Sequence, residues 1–339
     1  MRKTSTPSHF IQSKKQTIVP RLGAVLLLSG CSGVQSALAP GGPHAQSIAN
    51  IGWVMFIGAA AILLLVMALA LYTIYRNPDR RAAPKANTLI AAGGVVLPVV
   101  ALSALLLYGV SAMGSLRATS VVPTVHIDIV GNRWWWDVHY RGTNGETIVT
   151  ANEIRIPAGK PVMLSLRTND VIHSFWVPNL AGKIDLIPGR TNHLLLQADH
   201  PGTFRGQCAE YCGAQHARMA LHVIAETPPE YEAWLARQRA PAQAPGNGLA
   251  LRGRDAFVTH CIACHTVRGI ANARERGPDL THVASRHFLA AGNLPNNRDN
   301  LLAIIARSQD IKPGNAMPSQ DHLDEDTLQA IASFLETLD

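Results

Sequence analysis

At 339 residues, with 47% hydrophobic side chains and 16% charged ones, the chain is long enough for two or three domains and apolar enough to include membrane spans. Its formal charge of +7 does not describe a basic surface: Arg2, Lys3, Lys14, Lys15 and Arg21 lie in the first thirty residues, which hold no acid, and the remainder is close to +2. This distribution excludes a nucleic-acid-binding face and assigns the basic excess to a targeting segment.

The N-terminal segment, residues 1–30, reads as a secretory signal: a basic stretch, then an apolar core from Leu22 to Leu28 that is too short to span a bilayer. Its ending, Leu28-Ser29-Gly30-Cys31, resembles the bacterial lipoprotein signal, in which cleavage precedes the cysteine and the thiol is lipidated. A plain signal peptide cleaved near Ala37 or Ala39 is the alternative. Two longer apolar segments follow, Ile48 to Tyr75 and Thr88 to Val110, neither with an ionisable acid or base. At 1.5 Å per residue each covers roughly 35 to 40 Å, enough to cross the hydrocarbon core with some tilt. The loop between them carries Arg76, Arg80, Arg81 and Lys85 against Asp79, so the positive-inside rule puts it in the cytoplasm and the rest of the chain outside. Pro98 lies within the second span, where freed backbone groups must be satisfied locally.

From about Pro123 the apolar period changes to two. Val125, Ile127 and Ile129 alternate with His126 and Asp128, and Val162, Leu164 and Leu166 alternate likewise, with turn signals at Gly142 to Gly145, Pro157 to Gly159, and Pro188-Gly189. Short strands at this spacing predict a β-sandwich. Near its end Cys208, Cys212, His216 and Met219 crowd into one loop. A single cysteine with two histidines and a weak methionine suits mononuclear copper; two cysteines four apart can bridge two coppers, each capped by one histidine. The second histidine must then come from elsewhere, among His126, His139, His173, His193, His200 and His222. His173 stands out because it ends a predicted strand beside Phe175 and Trp176. A disulfide between Cys208 and Cys212 is the competing structural reading.

After a short amphipathic helix around Pro228 to Leu235, the Ala/Pro/Gly/Gln stretch from Ala240 to Gly248 reads as a linker. Beyond it stands Cys261-Ile262-Ala263-Cys264-His265, a c-type haem attachment sequence in which two thiols can form thioethers and His265 can ligate iron. A zinc site would need a further Cys or His pair that His260, His282 and His287 do not supply at the usual spacing. Met317, the only methionine after this motif, lies in a Pro/Gly loop and is the candidate second axial ligand. The five cysteines are thereby all assigned: Cys31 to processing, Cys208 and Cys212 to metal, Cys261 and Cys264 to haem.

The stretch from Asn169 to Met219, including Asp170 to Ser174, Lys183 to Arg190 and the Cys208 to Met219 loop, closely resembles subunit II of the haem-copper cytochrome c oxidases. That resemblance implies a dinuclear CuA centre in a cupredoxin domain. Cys208 and Cys212 would be the bridging thiolates, His173 and His216 the terminal imidazoles, and Met219 and the Glu210 carbonyl the weak ligands. The Glu210 carboxylate would help hold a magnesium or manganese ion at the interface with subunit I. Trp134, first of the Trp134-Trp135-Trp136 cluster, would be where electrons enter, although such a cluster is ordinarily packing. One departure stands out: where the family's second helix carries Glu at a proton path and then Trp, this chain has Ala91 and Gly94. The C-terminal region resembles class I cytochrome c, which implies a small helical fold, His265 and Met317 on the iron, and support of His265 by the Pro278 carbonyl.

The expected fold is a multidomain membrane protein. It comprises a two-helix transmembrane hairpin over 48–110, a Greek-key cupredoxin β-sandwich over 121–226, a short helix and linker over 227–249, and an all-α cytochrome c domain over 250–339. The resemblance implies an oxidase subunit in the bacterial inner membrane with both redox domains on the periplasmic side. Its partners would be subunits I and III. Its donor would be a soluble or membrane-bound cytochrome c or an upstream respiratory complex. Oxygen would be reduced, with proton pumping, in subunit I. The alternatives are the electron-accepting subunit of a CuA-containing nitric oxide reductase and a copper-binding envelope lipoprotein.

Overall fold

The computed structural model describes residues 33–77, 85–116, 122–142, 145–246, 248–272 and 276–339. The signal segment and Cys31 lie outside the described residues. Two helices long and apolar enough to cross a membrane come first: Pro43–Tyr75, and a second built from Ala86–Ala91, a π-helical turn Ala92–Val96, and Leu97–Leu116. Both extend past the expected 48–110. The first starts five residues early because Pro43 sits at the helix start and Ala45 and Ala49 pack down onto the next domain, where Ala45 N–H donates to the Leu180 carbonyl at 3.2 Å. In the second, Leu97 N–H reaches back five residues to the Ala92 carbonyl. This π turn lies just before Pro98, whose missing N–H and bulky ring disrupt regular α-helical bonding.

The first helix is fastened to the following domain through Asn179, whose amide donates to the Ser36 and Ala39 carbonyls at 3.0 and 2.8 Å while its own carbonyl accepts from Gly41 N–H at 2.7 Å. The domain is a two-sheet sandwich with orders β3-β2-β1-β5-β8 and β4-β10-β9-β6-β7. In the first sheet the strands are β1 (Val125–Asn132), β2 (Trp135–Arg141), β3 (Thr147–Ala151), β5 (Val162–Thr168) and β8 (Asn192–Leu196). In the second they are β4 (Glu153–Pro157), β6 (His173–Trp176), β7 (Ile184–Leu186), β9 (Gly202–Cys208) and β10 (Ala220–Glu226). β1 runs parallel to β5 and β4 parallel to β10, while the remaining neighbours are antiparallel. Ile127, Ile129, Leu164 and Leu166 of one sheet face Phe175, Leu186 and Val223 of the other across a dry core. Asp128, on the polar alternation of β1 opposite the Ile127 and Ile129 face, is nonetheless buried, and Arg141 and Arg167 pair with it.

Thr227 and Glu230 form a capping box that starts helix Pro228–Arg239. The described residues of the C-terminal domain are mainly helical, with a two-residue pairing of β11 (Phe288–Leu289) with β12 (Leu294–Pro295) and an isolated antiparallel bridge between Val267 and Ala271. Its helix Gly248–His260 crosses the last helix, Glu325–Leu335, at Gly253, where a Cβ would come 1.8 Å from the Ala330 carbonyl oxygen. Asp324 caps that last helix by accepting from Thr327 N–H at 2.8 Å.

Candidate metal and haem sites

The β6–β9 pairing sets Phe175 opposite Cys208, so His173, Phe175 and Cys208 point inward from the same face of the second sheet. β9 ends at Cys208, and the chain turns through Glu210 and Cys212 before a 3₁₀ turn, His216–Arg218, leads to Met219. Gly213 permits that turn: it has φ of +111°, closed to most side chains, and accepts from His216 N–H at 3.0 Å. The two sulfurs lie 3.8 Å apart and both thiols are free, which removes the disulfide reading.

Around them the donors converge in pairs. His173 Nδ1 is 3.8 Å from Cys208 Sγ, and His216 Nδ1 is 3.7 Å from Cys212 Sγ. Met219 Sδ is 3.9 Å from Cys212 Sγ, and the Glu210 carbonyl oxygen is 3.2 Å from Cys208 Sγ. Among the described residues, His173, Cys208 and Cys212 form a group with the spacing of a metal cluster, and all three are buried. Soft thiolates and a thioether with imidazoles are the donor set copper prefers, and the near-symmetric pairing leaves each sulfur facing one ring nitrogen. Of the other candidates, none of His126, His139, His193, His200 and His222 has a sulfur contact among the described residues.

The electrostatics favour a thiolate at Cys208 that shares the proton of the Cys212 thiol. Hydrogen bonding to Cys212 holds the Cys208 thiol far below its ordinary value, with His173 adding to the effect, and the same sharing pushes Cys212 up. Burial acts to lower His173, but its bonds to Cys208 and Asp170 outweigh this and raise it. Asp170 sits three residues before His173 and supports it from behind. Its Oδ1 lies 2.8 Å from His173 Nε2, and it accepts from Arg133 N–H and Val171 N–H at 2.7 Å each. It fixes the ring so that Nδ1 faces sulfur. Gly131 provides room for the ring, since a Cβ there would meet His173 Cδ2 at 2.8 Å. The Glu210 side chain is exposed, and Tyr211 beside it is 75% exposed at the loop tip.

The three tryptophans separate. Trp136 is fully buried and packs edge-on against His173 and Phe175, with ring centroids 6.1 and 5.9 Å apart. Trp134 is partly buried over the copper loop and donates its indole N–H to the Cys212 carbonyl at 2.9 Å.

In the C-terminal domain Cys261, Cys264 and His265 follow directly on helix Gly248–His260, with His265 N–H bonded to the Cys261 carbonyl at 3.0 Å. His265 Nδ1 lies 2.9 Å from the Pro278 carbonyl, the contact that the resemblance implies, which leaves Nε2 as the ring's other nitrogen. Burial holds His265 below its ordinary pKa, in the neutral form that ligates iron. Met317 is half-buried in a knotted loop: its carbonyl accepts from Ser308 Oγ and Gln309 Nε2 at 2.9 and 2.7 Å, and its N–H donates to Asn315 Oδ1 at 2.6 Å.

The two domains are in extensive contact, which sequence reasoning did not anticipate. Glu153, 4% exposed on β4, accepts from His287 N–H and Phe288 N–H at 2.7 Å each. His222 stacks on Phe288 at 3.8 Å. Nearer the copper loop, Gln215 Nε2 donates to the Pro313 carbonyl at 2.7 Å, Arg218 donates to the Ile311 carbonyl, and Lys312 Nζ donates to the Trp134 carbonyl at 2.7 Å.

Comparison with known proteins identifies each of the two domains. Residues 141–226 match the family described as cytochrome c oxidase subunit II, periplasmic domain, and residues 250–339 match cytochrome c. The chain is 36% identical to cytochrome c oxidase subunit 2 of Alkalihalophilus pseudofirmus, over 92% of this chain and 94% of that one. It is 30% identical to the corresponding protein of Bacillus sp. strain PS3, over 63% of this chain and 62% of that one. Among solved structures, the periplasmic domain of subunit II of cytochrome oxidase from Bradyrhizobium japonicum aligns at 28% identity and a TM-score of 0.33, covering 35% of this chain and 95% of that one. The chain therefore belongs to the cytochrome c oxidase subunit 2 family and carries a cytochrome c domain on the same polypeptide.

Proposed function

We propose that this chain is the electron inlet of a bacterial cytochrome c oxidase. A covalent haem and a dinuclear copper pair, when bound, supply the one-electron carriers between an external cytochrome donor and subunit I, where oxygen is reduced to water and protons are pumped. Cys208, Cys212, His173, His216, Met219 and the Glu210 carbonyl would hold the copper pair, the two thiols supplying the soft donors that both ions share. Cys261 and Cys264 would hold the haem, and His265 and Met317 would serve its iron. Trp134 lies where electrons pass to the copper pair, and the exposed Glu210 carboxylate takes a magnesium or manganese ion against subunit I. Both domains face the periplasm from the bacterial inner membrane, with Cys31 lipidated.

The observation that carries the copper assignment is the matched pair of sulfur-to-imidazole distances, 3.8 and 3.7 Å, about two sulfurs 3.8 Å apart. The burial of this cluster excludes water and keeps its donors fixed, which favours rapid electron transfer because little must reorganise. The test is electron paramagnetic resonance on the purified oxidase complex, together with a pyridine haemochrome spectrum. Hyperfine splitting from one electron shared by two copper nuclei, and a haem that resists acid-acetone extraction, are expected. A mononuclear copper signal, or extractable haem, refutes the corresponding assignment.

A further inference from the structure

Lys312 is an expensive residue where it stands. It is 6% exposed, and its one acceptor among the described residues is the Trp134 carbonyl, at 2.7 Å. Burial holds its pKa down to about 8, so the site disfavours the very charge it holds. A methionine would fill the same space without that cost, which argues against a purely packing role.

Its position links both candidate sites. On one side, Asn315 ties Lys312 to Met317: the Asn315 amide donates to the Lys312 carbonyl at 2.6 Å, and its Oδ1 accepts from Met317 N–H at 2.6 Å. On the other, Trp134 accepts from Lys312 through its carbonyl and donates through its indole to the Cys212 carbonyl. Met317, Asn315, Lys312, Trp134 and Cys212 thus form one connected series, flanked by the Gln215 and Arg218 contacts to the same loop.

Resting on the function proposed above, we propose that Lys312 is a positioning residue for electron transfer within the chain: it pins the Met317 loop onto Trp134 and places a positive charge beside the copper thiolates. The charge favours the copper site's reduced form, because an added electron is stabilised by a nearby cation of low solvent exposure. Removing a charged hydrogen bond of this kind loosens the docked geometry by about tenfold.

The test uses the full oxidase complex with Lys312→Met and Lys312→Arg. Three quantities are read: the haem-to-copper electron-transfer rate after photoreduction of the haem, the copper midpoint potential, and hydrogen exchange of the amides in 311–317. In Lys312→Met the rate is expected to fall about tenfold, the potential to drop, and the amides to lose protection, with copper and haem spectra unchanged. Lys312→Arg restores the potential and most of the protection. An unchanged rate and potential in Lys312→Met overturns the proposal, as does a slowed rate with an unmoved potential and no rescue by arginine, which would make Lys312 a steric peg. Should the wild-type complex lack the dinuclear copper signal, the functional reading fails instead. The hydrogen-exchange comparison still decides whether Lys312 pins the loop.

Discussion

Replacing Asp170 by alanine tests whether the copper site is held by its surroundings as well as by its ligands. The carboxylate takes four hydrogen bonds, from His173, Arg133, Val171 and the Thr168 hydroxyl, but their losses differ in consequence, and Thr168 keeps the Val171 carbonyl as an acceptor. Arg133 and Val171 are exposed, and water can take over their N–H groups. His173 is 0% exposed, so its Nε2 would be left without an acceptor in a dry site. An unsatisfied buried donor costs about 1–3 kcal/mol, and the ring would also lose the constraint that aims Nδ1 at Cys208. Converted at about 1.4 kcal/mol per decade, this is a roughly 5- to 150-fold loss of copper affinity, in line with the ~10- to 100-fold typical of partners behind a metal ligand. Asp170→Asn keeps an acceptor for the ring and is expected to lose less than about fivefold, which separates hydrogen bonding from charge. The assay is competition with a copper chelator of known affinity, followed by the dinuclear spectrum, with circular dichroism as the control for folding. Copper affinity within about twofold of wild type in a folded Asp170→Ala variant would refute the argument.

Cys208→Ser is expected to abolish the dinuclear signal, and Met219→Leu to keep both coppers while shifting their potential; an unchanged spectrum in the serine variant removes Cys208 from the ligand set. Gly253→Ala should destabilise the C-terminal domain, because a methyl 1.8 Å from the Ala330 oxygen forces the two helices apart at a cost of about 1–3 kcal/mol or more, exceeding the at most ~1 kcal/mol gained in helix propensity. Thermal unfolding followed at the haem absorbance would reveal no loss if that contact were slack. Burial, with Arg205 and His287 nearby, lowers His222 from 6.5 to about 4, so the docked state binds fewer protons than the undocked one between those values, and docking should weaken as pH falls through that window. Glu153, its neighbour in the β4–β10 pairing, is raised by burial and acts in the opposite sense, so the His222→Phe variant is the reference. Wild type minus variant, read as protease sensitivity of the segment after Arg239, should show the acid loss, and parallel profiles would refute it.

What could be read along the chain was whatever is local. The Cys208 to Met219 loop gathers four donors within twelve residues, and the attachment motif gathers three within five, so neither needed the fold. Among six histidines His173 stands out by its strand end and aromatic neighbours, and the resemblance makes it a ligand, but neither says how it reaches the cysteines. In the structure it is the β6–β9 pairing that brings it to Cys208. Asp170, Glu153 and Lys312 had no signal of their own. Glu153 occupies a short strand as any polar residue does, and its burial arises from amides 134 and 135 positions away. Lys312 precedes Pro313-Gly314 as a loop lysine would, and its acceptor lies 178 residues earlier. Helix limits were missed for a related reason. His44 and Gln46 break the apolar run, yet the helix includes them because its first turn rests on Leu180, whose carbonyl accepts from Ala45 N–H.

If the chain works as proposed, the docked cytochrome c domain changes the kinetics of electron entry. A carrier that must arrive from solution meets copper at a rate set by its concentration and by charge steering, which salt screens over about 8 Å at physiological ionic strength. Here the segment from Gln238 to Ala242 is itself stitched to the domain, through Arg268 to Gln238 and Ala242 and through His282 to Ala240. The carrier is therefore already seated, and its local concentration is a property of the polypeptide. Saturation behaviour and ionic-strength dependence then belong to the step that loads the haem, while the step that loads copper becomes first order and indifferent to salt. The fusion converts a collision into an internal equilibrium.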